Sequence, residues 1–204
     1  MRFDHVAISG ETLQSAQAYV EDALGVPLQP GGEHDVFHTH NMLLGLEDGL
    51  YLEAISINPN APGPARPRWF DLDHFSGTPR LTNWICATDD LPGDLTDLGA
   101  AFGTPVSLKR GDLRWRMAVP QSGRLPFENC APALIQWDSD DHPARRLTQR
   151  GVRLLRLTVS HPDVTALQDT LTRNLVDDRI AFEQGTAGLS AEFHTPHGRR
   201  SLAP

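Results

Sequence analysis

The sequence is poor in cysteine, lysine and long apolar runs. Its 204 residues include two cysteines, Cys86 and Cys130. Two thiols in a chain of this length do not build a disulfide framework, and there is no C-x-x-C pair. The expected setting is the reducing cytoplasm. Cys86 lies in an apolar run and is expected to be buried, and Cys130, in the Pro-flanked loop PFENCAP, is expected to be exposed. Lysine occurs once, at Lys109, and every other basic residue is arginine. Acidic residues outnumber basic ones 26 to 18, a formal charge of −8. That balance argues against a broad basic face for nucleic acid and against a polybasic membrane anchor. No run approaches the roughly 18 apolar residues of a membrane helix. The start, MRFDHVAISGE, lacks the apolar stretch of a secretion signal. Also missing are the G-x-S-x-G elbow, the phosphate-binding P-loop and the dinucleotide fingerprint.

What is present is a globular composition, 39% hydrophobic, with 17 glycines and 16 prolines that point to many turns. Met1 to Ser9 alternates as a strand. Thr12 to Leu24 reads as a helix, with Thr12 as N-cap and Gly25 just past its end. A strand around Val36–Leu46 follows the turn Pro30-Gly31-Gly32, and another around Leu50–Ile57 follows Asp48-Gly49. The order over 1–57 reads β-α-β-β-β. Residues 58–79 carry prolines beside Trp69, Phe70 and Phe75 and read as a long loop packed over the body, a lid on a pocket.

The pattern restarts over 80–138. Arg80–Thr88 is a strand, Leu91–Phe102 a weaker helix, Thr104–Lys109 and Leu113–Val119 a hairpin, and Ala133–Trp137 an apolar strand. After a linker at 139–150 it restarts again over 151–204, with a strand at Val152–Val159 and a helix at Pro162–Leu175. Three strands follow at Arg179–Glu183, Leu189–Thr195 and Arg199–Leu202. Gly49-Leu50-Tyr51-Leu52-Glu53 is echoed by Gly188-Leu189-Ser190-Ala191-Glu192. The fold expected is α+β. Two tandem βαβββ modules share one curved, mostly antiparallel sheet around a pocket, and a third βαβββ-like unit follows.

His5 on the first strand and Glu53 on the last strand of the first unit can face one concavity. Imidazole with carboxylate suits a divalent metal such as Zn, Mn, Fe or Ni, or a general base held by a partner. A hydrogen-bonded core His and Glu fits the same spacing. His38 and His40, two apart, would share a strand face. His34 and Asn41 are candidate substrate contacts at the pocket edge. Arg114 and Arg116 alternate with Trp115 and present a fork for an anion, or a solvated strand face. The arginines at 145, 146, 150, 153 and 156 read as a salt-bridge surface. Trp84 and Trp137 are expected on the second unit's inner face, where they would suit a flat apolar ligand.

Asp4-His5-Val6-Ala7-Ile8 on the first strand and Tyr51-Leu52-Glu53 on the fourth resemble the vicinal oxygen chelate superfamily. More closely, Gly31-Gly32-Glu33-His34, Thr39-His40-Asn41-Met42-Leu43, Trp84, Pro126-Phe127 and Ile135-Gln136-Trp137 resemble its glyoxalase-like domain family. The match spans about 3–138, and Thr195-Pro196-His197-Gly198 resembles the closing hairpin of other members. The resemblance implies a metal held by His and Glu from each of two units. That role carries to His5 and Glu53. In the second unit the matching positions fall at Asn83 or Trp84 and at Gln136, so a four-ligand site is not present as written. A metal would have to borrow His34, His38 or Glu192, and a protein without metal fits equally. Thr39 joins His34 and Asn41 as a candidate substrate contact. The resemblance points to a small-molecule enzyme of lyase, isomerase or dioxygenase type, or to a ligand-sequestering protein. Partners expected are a small molecule and a second copy of the chain.

Overall fold

The computed structural model describes residues 1–171 and 175–203. The first module comprises β1 (Arg2–Ser9), α1 (Leu13–Leu24), β2 (Gln29–His34), β3 (Thr39–Leu46) and β4 (Leu50–Ile57). The second comprises β5 (Arg80–Ala87), α2 (Leu91–Leu98), β6 (Thr104–Arg110), β7 (Leu113–Val119) and β8 (Ala133–Trp137). A short α3 (Pro143–Arg146) leads to β9 (Arg153–His161), α4 (Val164–Leu171), β10 (Ile180–Gln184), β11 (Gly188–Thr195) and β12 (Gly198–Leu202). The expected extension of α4 to Leu175 crosses residues 172–174, which lie outside the described ones.

The first two modules form one eight-stranded sheet in the order β2-β3-β4-β1-β5-β8-β7-β6. Each closes on itself through a parallel pair, β1 with β4 and β5 with β8, and β1 joins β5 antiparallel at the centre. The sheet curls until its terminal strands β2 and β6 touch. A two-residue period then sorts side chains to an inner or an outer face. Ala7, Ile55, Ile85, Trp115, Met117 and Ile135 pack inside. Val6, Ile8, Leu52, Leu81, Trp84 and Cys86 pack outside, against the helices.

Thr12 caps the start of helix α1. The Thr12 hydroxyl accepts from the Ser15 backbone N–H, and the Ser15 hydroxyl accepts from that of Thr12. This closed box satisfies two helix-end donors. Gly25, left-handed at φ 73°, ends the helix. Ala16, Val20 and Leu24 are buried against the outer face.

Strand β2 falls where the sequence suggested the turn Pro30-Gly31-Gly32. It is a terminal strand with a register shift between Pro30 and Gly32. Proline lacks a donor and is tolerated in such positions. The turn proper is at residues 35–38, so His38 (φ 52°) lies in it and shares no strand face with His40.

Residues 58–79 lie over the open side of the inner face. Trp69 stacks on Phe37 at 4.5 Å and on Phe70 at 5.1 Å, and all three rings are buried.

The third unit has the β-α-β-β-β element order but pairs differently. Its order is β10-β9-β11-β12, with β9 parallel to β10 rather than to its last strand. Leu157, Val159, Leu189, Ala191 and Phe193 on one face join the outer core, and Phe182 meets Trp84 at 6.4 Å. Cys130 is buried under this sheet, contrary to its expected exposure, with its thiol 3.7 Å from the Ser160 carbonyl.

Candidate active site

The inner face carries a buried polar cluster that starts with two neighbours in sequence. Consecutive strand residues normally point to opposite faces. The ladder between β1 and β5 shifts register between Phe3 and His5, and this bulge lets Asp4 and His5 meet. His5 Nδ1 lies 2.5 Å from Asp4 Oδ1. Asp4 Oδ2 accepts from the Trp137 indole at 3.1 Å and pairs with His142 Nε2 at 3.1 Å. His142 Nδ1 accepts the Ala144 backbone N–H, which leaves Nε2 as the donor to Asp4.

On its other side, His5 Nε2 lies 3.6 Å from Glu53 Oε1 and 3.3 Å from the Tyr51 hydroxyl. The Tyr51 ring stacks on the imidazole at 4.1 Å. Glu53 Oε2 accepts from the Asn41 amide at 2.7 Å, and Asn41 Oδ1 accepts from Arg110 at 3.2 Å. Two glycines make room for this relay. A Cβ on Gly31 would stand 2.0 Å from Asn41 Oδ1, and one on Gly32 2.7 Å from Arg110 Cδ.

The electrostatics follow from burial and pairing. Burial opposes charge on Asp4, but hydrogen bonds to His142 and His5 outweigh it and hold the carboxyl far below its ordinary range. Burial likewise opposes an imidazolium at His5, and contact with Asp4 and Glu53 overcomes it and raises the pKa above 6.5. Glu53 is lowered despite its burial, by His5 and Asn41 among others. His34 is different. Burial drops it to about 4, so it is neutral at pH 7. Its Nδ1 meets the Thr39 hydroxyl at 2.9 Å, which makes Thr39 a support for His34. Tyr51 is pushed well above 10 by burial and the charges of Asp4 and Glu53, so it stays a phenol.

His5, Glu53, His34, Asn41, Arg110 and Trp137 line one cavity, together with Tyr51, Trp69, Phe70, Trp115, Met117 and Ile135. Its volume is about 20 Å³, room for about one water molecule. Any larger ligand needs the Trp69–Phe70 segment to yield. A larger cavity of about 210 Å³ lies near Phe70, Cys130 and Leu189, where the His74–Asp71 pair is 2.7 Å apart. His74 is largely exposed there.

Several expected site residues lie elsewhere. Trp84 points outward, fully buried, and donates to the Cys130 carbonyl at 2.8 Å. Arg114 faces away from the cavity and bonds the carbonyls of Gly111 and Leu113. Arg116 pairs with Asp138. Their alternation was legible, but the inward face belongs to Trp115 and Met117. Gln136 also faces outward, where it accepts from Leu91 N and donates to the Asp89 carbonyl. His38 bonds the Pro62 carbonyl, His40 lies 2.9 Å from Ser56 Oγ, and Glu192 is exposed. Asp4, Arg110 and His142 enter the cluster without having been expected there. Only the Asp4-His5 dipeptide held a clue.

The family model described as Glyoxalase-like domain matches residues 3–175. The chain belongs to the glyoxalase-like domain family. Its fold is that of the vicinal oxygen chelate superfamily. A hypothetical protein from Staphylococcus aureus superposes with a TM-score of 0.61 at 15% identity, over 91% of this chain and 86% of its own. A methylmalonyl-CoA epimerase from Mycobacterium tuberculosis gives 0.41 at 16% identity, over 66% and 85%. The Mn(II)-bound glyoxalase from Novosphingobium aromaticivorans gives 0.48 at 12% identity, over 98% and 81%. No curated protein matches the sequence. No helix among the described residues is long and apolar enough to cross a membrane.

A glyoxalase-like chain raises the question of a metal held by both modules. The strand registers settle which positions correspond. His5 faces Tyr51 and Ala7 faces Glu53 across β1 and β4. Ile85 faces Ala133 and Ala87 faces Ile135 across β5 and β8. Across β1 and β5, Val6 faces Trp84, His5 faces Ile85 and Ala7 faces Asn83, and the bond from Gly10 N–H to the Ile55 carbonyl is matched by one from Thr88 N–H to the Ile135 carbonyl. The second-module counterpart of His5 is therefore Asn83, one of the two expected positions, and that of Glu53 is Ala133 rather than Gln136. A neutral amide is a weak ligand and a methyl group is none. Among the described residues no group of three or more His, Cys, Asp or Glu side chains is disposed to hold a metal ion. The donor set does not fit a resident four-ligand metal.

Proposed function

We propose that this glyoxalase-like protein is an acid–base enzyme. It would move a proton at a carbon next to a carbonyl group, in a lyase- or isomerase-type reaction on a small molecule. One observation carries the reading. A buried carboxylate, Glu53, and an imidazole, His5, lie 3.6 Å apart on one cavity, the imidazole fixed from behind by Asp4.

Such a pair has the parts that proton transfer requires. Glu53 is ionised at neutral pH and accepts the proton. The C–H electron pair moves toward the carbonyl oxygen, which becomes enolate. The His5 imidazolium and Arg110 supply positive charge beside it, and a water-poor cavity strengthens both. Neutral His34 adds a polar ring that does not compete for the charge. Trp69, Trp115 and Trp137 confine a flat substrate. Deuterium wash-in from heavy water, followed by NMR over a panel of small carbonyl compounds, tests the reading. Exchange that survives in Glu53→Gln removes Glu53 from the role of base.

A second reading rests on the cavity's other half. Asn83 and Ala133 stand where the first module has His5 and Glu53. Among the described residues the second module therefore brings no carboxylate or imidazole to the cavity lining, and such a cavity suits a protein that binds without turnover. It requires quenching of tryptophan fluorescence by a ligand that is recovered unchanged.

A further inference from the structure

Arg110 ends β6 and crosses to the opposite edge of the curled sheet, where it bonds Asn41. Among the described residues that line the cavity it is the one permanent cation. No carboxylate lies within ion-pairing distance of it among the described residues. By contrast Arg116, Arg146 and Arg179 each hold an aspartate at 2.7–2.8 Å. A half-buried guanidinium without a counter-ion is an unfilled anion site when the fold makes space for it. Here the space is built: Gly32 carries no side chain at the point where a Cβ would collide with Arg110 Cδ. A second donor waits on the same lining, since the buried Trp69 indole Nε1 has no acceptor. Arg110 also lines an outer cavity of about 240 Å³ beside Gly31, Gly111, Leu113 and Leu147, into which the remainder of a ligand can extend.

We propose that Arg110 is the anion anchor of the site and that its ligand is a small 2-oxo carboxylate, held so that the C–H carbon next to its keto group faces Glu53. The placement rests on the reading of Glu53 as the base. Asn41 alone separates the guanidinium from that base, bonding Arg110 at 3.2 Å and Glu53 at 2.7 Å. A 2-oxo carboxylate on the guanidinium therefore brings the C–H carbon beyond its keto group toward Glu53. Carboxylate is favoured over phosphate for two reasons. It is planar and matches the fork between flat aromatic walls. It also carries one negative charge, where a phosphate monoester would bring about two against ionised Glu53.

The test is titration of the full chain with pyruvate, 2-oxobutyrate and phenylpyruvate, each against its uncharged amide. Binding is followed by calorimetry and tryptophan fluorescence. The acids are expected to bind at least about tenfold more tightly than the amides, with affinity falling as salt rises. Arg110→Met is expected to weaken acid binding by about 30-fold and leave amide binding alone, with partial rescue in Arg110→Lys. Arg114→Met, which alters an arginine that faces away from the cavity, is the control for general charge and is expected to change nothing. Glu53→Gln separates the anchor from the base. Acid binding retained in that variant, with or without deuterium exchange in the wild type, supports the anchor. Absent exchange in the wild type then counts against Glu53 as base alone. The proposal is overturned by equal binding of acids and amides, by equal losses in the Arg110 and Arg114 variants, by no acid binding at all, or by tighter binding of phosphoenolpyruvate than of pyruvate.

Discussion

Asp4 Oδ1 approaches His5 Nδ1 to 2.5 Å although the two residues are adjacent on a strand. The bulge that permits this contact gives the site a buried ion pair made from a dipeptide. Breaking such a pair from one side leaves a charge without a partner, at a cost of about 3–5 kcal/mol. Asp4→Asn is expected to lower the urea midpoint accordingly. A smaller loss in Asn41→Ala, whose amide touches Glu53 from the opposite side, would show that the His5 side dominates.

Stability should peak close to the ordinary imidazole value of 6.5. His5 is raised above it, so its contribution is complete below 6.5 and fades as pH rises through the folded value. His34 is lowered to about 4, so the folded state resists its protonation and loses stability as pH falls from 6.5 toward 4. Asp4 and Glu53, both depressed, add stability above their ordinary values that is lost only in stronger acid. Urea unfolding across the pH range reads the curve. His34→Gln should flatten its acid limb and Asp4→Asn its alkaline limb.

Glu53→Gln keeps the shape of the side chain and removes the proton acceptor. For a substrate that shows exchange, the rate is expected to fall by about 10²–10⁴-fold while binding persists. Single-turnover measurements separate the two effects.

Gly31→Ala tests the room made for Asn41. A Cβ there meets Asn41 Oδ1 at 2.0 Å, so the amide must leave Glu53 or β2 must shift. Destabilisation of about 1–3 kcal/mol is expected. Loss of exchange activity beyond the fraction unfolded is expected with it. Gly49→Ala is a poor control because its φ is +76°, whereas Gly63→Ala meets open space and should be silent.

The second module offers a constructive test. Asn83→His with Ala133→Glu would place on β5 and β8 the side chains that β1 and β4 already carry. Calorimetry with Ni²⁺ or Zn²⁺ is expected to show one tight site per chain in the double variant and only weak binding in the wild type. The new charges lower stability in the metal-free form, and added metal should restore it.

Much of this was legible in the sequence because it follows from period and punctuation. The limits of β8, the capped α1 and the inward pairing of His5 with Glu53 all come from local alternation. What escaped depends on irregular or distant geometry. A bulge has no signature in Asp4-His5. A terminal strand through Pro30-Gly31-Gly32 looks like a turn, because the sheet's edge removes the demand for a donor. Alternation marks two faces without saying which is inside. Trp84 therefore reads as a lining residue where Trp115 is one, and Arg114 as an anion contact although its side chain faces away from the cavity. His142 comes from the presumed linker and reaches Asp4 across 138 positions of chain.

The small sheet rests against the outer side of β5, close to the seam where the two modules join. Mechanically this is a splint along the spine of a folded hand. It stiffens the centre of the large sheet and leaves the seam between β2 and β6 without a backbone ladder among the described residues, with Arg110 packed on Gly32 and bonded to Asn41 of β3. Motion that admits a guest is then shared between the Trp69–Phe70 segment and the seam where Arg110 crosses. The contact that holds the grip closed is the same one a carboxylate would compete for, so an arriving ligand loosens the door as it takes hold of the handle.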